Sequence, residues 1–245
     1  VLKSFWFFFF RKRTVPSCSP RNKVFQVNST FILLTLRRYK LFATPHTSSL
    51  FVLETRTVTL LDRRFEPYIS AERIHTAISE LARRINRDYA ACTGRPLLLV
   101  TLNGALVFAG ELFRQLNGDF EVAFVKLSSY EGMGSTGKVQ LDVPVTAEVR
   151  GRDIVIAEDV VDTGNTIHAL HGLLQQAGAR SVRVATLVLK PTVYYRQPER
   201  PEGLLPVDYA ALEVEERFIV GYGMDYDGLG RNLGAIYVLS EDREK

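Results

Sequence analysis

Three carboxylates, Glu158, Asp159 and Asp162, make residues 158–166 the most chemically loaded stretch of this 245-residue chain. The apolar run Ile154-Val155-Ile156-Ala157 leads into Glu158-Asp159. Val160-Val161 follow, and Asp162-Thr163-Gly164-Asn165-Thr166 then opens a helix. A glycine turn at a helix N-terminus points backbone N–H groups outward and favours a phosphate, with the Thr163 and Thr166 hydroxyls as further donors. The adjacent carboxylates can accept from sugar hydroxyls, or ligate a magnesium ion that keeps part of its water shell. Taken singly, Asp162 could be a helix cap and Glu158-Asp159 a solvated strand end. Together, behind one buried strand, they read as a phosphate and sugar site. The chain has no Gly-x-x-x-x-Gly-Lys-Ser/Thr, so this is no Walker loop. The Gly-x-Gly-x-x-Gly at Gly132–Gly137 lies within a Ser-, Gly- and Thr-rich loop and opens no helix pattern, which argues against a dinucleotide.

The elements that position these groups follow from apolar spacing. Ser70 is suited to cap a helix carrying Ile74, Ala77, Ile78, Leu81, Ile85 and Tyr89 on one face, with Gly94 past its end. Cys92 falls late in that helix on this reading. Leu97–Val100 reads as a buried strand, and a second helix runs from after Asn103-Gly104 to about Leu116. Phe120–Leu127 reads as a strand followed by a long Ser, Gly and Thr loop. Asp153–Ala157 is a third strand, a helix runs from about Thr166 to Ala177 before Gly178, and Val182–Lys190 is a fourth strand. Strand–helix–strand repeats predict a parallel sheet with helices on both faces, whose ligands bind beyond the carboxyl ends of the strands. After Pro191 the short pieces Phe218–Gly221 and Ala235–Leu239, among Pro and Gly turns, predict a small irregular cap and a returning strand.

Composition narrows the partners. An apolar fraction of 46% supports a proper core. The net charge of +4 misleads, because residues 1–53 hold 9 of the 31 basic residues and none of the 27 acidic ones. The remaining 22 basic and 27 acidic residues give the body a charge of −5, a poor surface for nucleic acid. Cys18 and Cys92 cannot build a disulfide framework or a zinc site. His46, His75, His168 and His171 show no metal-ligand pattern. Residues 1–54 form a basic extension, expected to be poorly ordered, ahead of a domain at 55–245. The apolar runs Phe7–Phe10 and Phe31–Leu36 are too short to span a membrane. Charge follows the first run, the reverse of a secretory signal. An over-long reading frame is the favoured reading of this extension, and an organelle transit peptide, which its basic, acid-free start is somewhat like, is the alternative.

The stretch Glu158–Thr166 resembles the signature of the type I phosphoribosyltransferases. The resemblance extends through most of residues 57–240 and is nearest to the bacterial hypoxanthine (hypoxanthine-guanine) enzymes. It implies an α/β fold, a parallel-sheet core with a small hood. It also implies transfer of a phosphoribosyl group from phosphoribosyl pyrophosphate (PRPP) to a 6-oxopurine, with Mg2+ as cofactor. Leu102-Asn103-Gly104-Ala105 is similar to the family's first pyrophosphate loop. Many members carry Lys where this chain has Asn103, so the backbone role carries over through Gly104. Leu127–Gly132, with the pair Ser129-Tyr130, resembles the mobile active-site loop, which continues through Ser135-Thr136-Gly137-Lys138. Lys190 matches the lysine that bonds the purine's exocyclic oxygen; it has only donors, which favours a 6-oxo over a 6-amino group.

By the same resemblance, Phe218 lies on the purine face and the backbone at Ile219 reads another base edge. Asp225 is associated with a second magnesium and the far side of the base, and Arg231 reaches pyrophosphate. Glu158 and Asp159 hold the ribose and metal side, residues 162–166 hold the 5-phosphate, and Asp162 is the general base for purine N7. A homodimer or homotetramer, a cytoplasmic location, and neither nucleic-acid nor membrane binding are expected. Two alternatives stay open: a phosphoribosyltransferase for another base, xanthine above all, and a non-catalytic PRPP-sensing regulator that binds nucleic acid.

Overall fold

The structure, a computed structural model, describes residues 56–129, 139–196 and 203–240. The extension at 1–54 and the loop residues Tyr130–Lys138 lie outside them. Helix α1 (Ala71–Asp88) begins at Ser70, whose hydroxyl accepts from the Arg73 N–H at 3.4 Å. Its buried stripe contains Ile74, Ala77, Ile78, Leu81, Ala82 and Ile85. Strand β3 (Leu97–Thr101), helix α2 (Leu106–Phe113) and strands β4 (Glu121–Ser129) and β5 (Val139–Val143) follow. Then come β6 (Asp153–Val161), α3 (Asn165–Gln176), β7 (Ser181–Leu189), the single turn α4 (Pro191–Tyr194) and β8 (Tyr209–Glu213). One sheet runs in the order β5-β4-β3-β6-β7-β8, parallel except for β5 at the edge.

Central strands of a parallel sheet are buried on both faces and so read as unbroken apolar runs. Leu97–Leu99 and Ile154–Ala157 are fully buried for this reason. Helices α1 and α2 pack with Leu98, Val100, Val155 and Ala157, whereas α3 packs with Leu97, Leu99, Ile154 and Ile156 on the opposite face. The expected two-faced α/β core is present. Among the described residues, no helix is long and apolar enough to cross a membrane.

Four expectations change. The cap is an antiparallel sheet, ordered β1-β2-β10-β9, and not an irregular appendage. Two of its strands, β1 (Val58–Leu60) and β2 (Arg63–Ile69), precede the core; β9 (Ile219–Val220) and β10 (Ile236–Leu239) come from the end of the chain. Strand β6 runs past Ala157 to Val161, because β7 continues beside it and pairs Glu158 with Thr186 and Val161 with Leu189. Part of the predicted loop is the antiparallel edge strand β5. Cys92 lies beyond α1, which closes at Tyr89, and its thiol donates to Asp153 Oδ2 at 3.5 Å.

Candidate active site

The carboxyl ends of β3, β6 and β7 meet at one end of the sheet and present the predicted residues together. Residues 102–105 leave β3, and the Leu102–Asn103 peptide bond is cis. Asn103 is exposed. Gly104 is packed against the carboxylate of Asp159: a Cβ there would stand 1.8 Å from Asp159 Oδ2, so any larger residue must displace that carboxylate. From the cap side, Gly223 lies against the Gly104 carbonyl, where an added Cβ would stand 2.0 Å from the oxygen. Arg231 donates through Nη1 to the Gly223 carbonyl at 2.8 Å and pairs through Nη2 with Asp225 Oδ1 at 2.7 Å. Asp225 Oδ2 accepts from the Gly228 N–H at 2.7 Å, so both of its oxygens carry internal partners.

Glu158 is buried, and desolvation followed by the neighbouring Asp159 pushes its carboxyl well above the ordinary range. Burial also raises Asp159, against the lowering effects of its bond to Glu158, of backbone amides and of the Arg231 charge. Two acids this close, out of water, favour holding a proton between them. Glu158 Oε2 has no hydrogen-bond partner among the described residues. That orphan acceptor fits a ribose hydroxyl or a hydrated cation. No group of three or more His, Cys, Asp or Glu side chains able to hold a metal occurs among the described residues. A two-carboxylate site suits magnesium arriving with substrate phosphates and water, and not a metal caged by protein alone.

Asp162 and Lys190 form the second cluster. Because Val161 and Leu189 are register partners, the next residue of each strand stands opposite the other. Lys190 Nζ donates to Asp162 Oδ2 at 2.9 Å. The lysine side chain is 10% exposed and the aspartate 44%, so the pair sits with its acid end toward solvent. Asp162 does not cap α3. The N-cap is Gly164 at φ +76°, and a Cβ on it would meet the buried Tyr194 ring at 2.4 Å. The turn thus passes tightly over that ring at Gly164 and leads directly into the N-terminus of α3.

The remaining predicted residues are placed less directly. Phe218 is 48% exposed, and its ring is held from below by Phe65 (centroids 6.2 Å apart) and edge-on by Tyr226 (5.9 Å). Both of these rings belong to the cap. Ile219 is buried and pairs with Val238. Ser129 ends β4, paired with Val139, and Tyr130 lies outside the described residues. Two contributors escaped sequence reasoning: Gly223, signalled only by its place in Gly221-Tyr222-Gly223, and Tyr194, whose ring lies under Gly164.

The chain is similar to known phosphoribosyltransferases. A family profile described as the phosphoribosyl transferase domain matches residues 70–227. The hypoxanthine-guanine phosphoribosyltransferase of Streptococcus thermophilus is 36% identical over 177 residues, covering 71% of this chain and 92% of that protein. That of Mycobacterium tuberculosis is 36% identical over 176 residues, covering 70% and 84%. Among solved structures, a hypoxanthine-guanine phosphoribosyltransferase from Bacillus anthracis superposes with a TM-score of 0.63 at 30% identity, over 71% of this chain and 97% of that one. The Trypanosoma cruzi hypoxanthine phosphoribosyltransferase in complex with the product IMP gives 0.64 at 29% identity, over 72% and 94%.

Proposed function

The chain belongs to the phosphoribosyltransferase family, and from that premise we propose that it transfers the 5-phosphoribosyl group of PRPP to hypoxanthine and guanine, forming IMP or GMP and pyrophosphate. The observation that carries the base assignment is the Lys190–Asp162 pair at 2.9 Å. In a 6-oxopurine, O6 and N7 share one edge. Lys190 can donate to O6 while Asp162 beside it accepts the proton on N7, so the two side chains match that edge as a unit. Adenine offers an amino group where Lys190 offers only donors. Phe218 presents an open ring face for stacking.

On the sugar side, the 163–166 turn and the α3 amides bind the 5-phosphate, and Glu158 and Asp159 accept from the ribose hydroxyls. Gly104 and Arg231 face the diphosphate. As the anomeric carbon loses pyrophosphate and becomes cationic, the ring nitrogen bonds to it and Asp162 removes the displaced proton. Magnesium, which Glu158 and Asp159 would hold with Asp225 nearby, supplies charge neutralisation for the leaving pyrophosphate. Arg231 adds a fixed positive charge at the same end. We further propose a homodimer or homotetramer: Val122 and Phe124 on β4 and Leu106 and Val107 on α2 stay exposed, as subunit-contact residues do.

The test is an ultraviolet assay of nucleotide formation from PRPP with each base in turn, with and without Mg2+. Hypoxanthine and guanine should react only with the metal, and adenine should not. Reaction with xanthine alone would move the enzyme to another base, and no product from any base would remove the enzymatic reading.

A further inference from the structure

Tyr222 lies at the junction of cap and core. It stands at φ +51° between Gly221 (φ +99°) and Gly223 (φ +103°), so three consecutive residues reverse the chain in left-handed backbone. The reversal is laced to the segment behind it, with Tyr222 N–H donating to the Leu233 carbonyl and Gly223 N–H to the Arg231 carbonyl, both at 2.9 Å. Gly223 in turn presses on Gly104, and its carbonyl receives the Arg231 guanidinium. Everything the cap brings to the diphosphate end therefore hangs on this reversal.

The reversal has one side-chain anchor in the core. The Tyr222 ring is buried, and its hydroxyl donates to Glu111 Oε2 on α2. Glu111 Oε1 bonds His75 Nδ1 on α1, so the carboxylate bridges Tyr222 of the cap and a second core helix. Burial, then the Glu111 bond, raises the phenol above its ordinary range and keeps it a donor at neutral pH. Helix α2 begins directly after residues 102–105, so Glu111 is rigidly linked to the loop that Gly223 touches.

We propose that Tyr222 and Glu111 are a positioning pair that sets the spacing between Gly104 and the Gly223–Arg231 unit, and so controls PRPP affinity without touching PRPP. The inference rests on the proposed function above. The contacts of the pair run to Gly104 and Arg231 through Gly223, so the larger effect falls on PRPP.

The test is a double-mutant cycle with Tyr222→Phe and Glu111→Ala, reading kcat, KM for PRPP, KM for hypoxanthine and Tm. Tyr222→Phe should raise KM for PRPP about tenfold, the loss of one hydrogen bond to a charged group. KM for hypoxanthine should stay within about twofold, and the double variant should be no worse than either single one. Glu111→Gln keeps an acceptor for the phenol and should restore most of the PRPP affinity. Calorimetry of PRPP with magnesium on Tyr222→Phe reads the same affinity without turnover. Unchanged PRPP affinity in Tyr222→Phe overturns the inference. So does an equal rise in both KM values, which marks mere fold support, or additive effects in the double variant. A wild-type chain that forms no nucleotide overturns the functional reading as well; an active wild type with an indifferent Tyr222→Phe overturns this inference alone.

Discussion

Replacing Asp162 by Asn separates proton transfer from binding at a position where structure and charge would otherwise be confounded. Lys190 Nζ is bonded to Asp162 Oδ2 at 2.9 Å, and the lysine side chain is only 10% exposed. Removing the acid outright would strand that cation, whereas Asn leaves a carbonyl oxygen at the same place to accept from it. The aspartate end is 44% exposed, so solvent screens the lost charge and the cost in stability is about 1 kcal/mol. For a domain of this size that lowers Tm by roughly 2–4 °C. The amide cannot take the N7 proton, and a general base is worth about 10²–10⁴-fold in rate, or roughly 3–5 kcal/mol of barrier. Steady-state assays with PRPP and hypoxanthine should therefore show kcat down by about that factor with KM for PRPP within a few-fold. Turnover within tenfold of wild type, with Tm preserved, would remove Asp162 from the role and leave it a partner for Lys190 only.

Other perturbations follow from the same geometry. Lys190→Ala should raise KM for hypoxanthine and guanine by about 10–100-fold, a hydrogen bond from a charged donor, and leave PRPP binding by calorimetry nearly intact; equal losses would make Lys190 structural. Gly104→Ala places a Cβ 1.8 Å from Asp159 Oδ2, so KM for PRPP should rise at least about tenfold with about 1–3 kcal/mol lost in thermal unfolding. Wild-type PRPP affinity in that variant would contradict the packing described. Asp153, at the far end of β6, is held below the usual carboxylate range first by Arg180, against burial, with Ser181 and Cys92 assisting. A carboxyl lowered in the folded state stabilises above its unfolded pKa and loses that contribution as pH falls. Asp153→Asn should thus cost about 1 kcal/mol at pH 7, and the difference in Tm should close as pH drops below about 4; a constant difference would show that charge is not the cause.

The legible part of this molecule was the part encoded locally. An apolar run, two acids and a Thr-Gly turn lie in one continuous stretch, so the first half of strand β6, the turn after it and α3 could be read directly. What joins distant segments could not be read from the residues alone. That Lys190 faces Asp162 depends on the register of β6 against β7, and that Gly223 meets Gly104 depends on how the cap returns to the core. Strand β2 was hidden by Arg63, Arg64, Glu66 and Pro67, a composition that argues against a strand. It forms because β1 pairs only with Arg63–Phe65, so Pro67 has a ladder partner, Tyr237, on one side alone. The alternation Val139-Gln140-Leu141-Asp142-Val143 was a strand signal masked by the Gly- and Ser-rich residues before it. Glu158 and Asp159 are poor strand formers in isolation, yet β7 continues beside them and carries the pairing onward.

A crystal structure of the chain with IMP bound tests whether Lys190, Asp162 and the 163–166 turn hold one nucleotide together. O6 should lie within hydrogen-bond distance of Lys190 Nζ, N7 beside the Asp162 carboxylate, and the 5-phosphate on the backbone N–H groups of residues 163–166. A purine edge turned away from both Lys190 and Asp162, or a phosphate bound anywhere other than that turn, would contradict this placement.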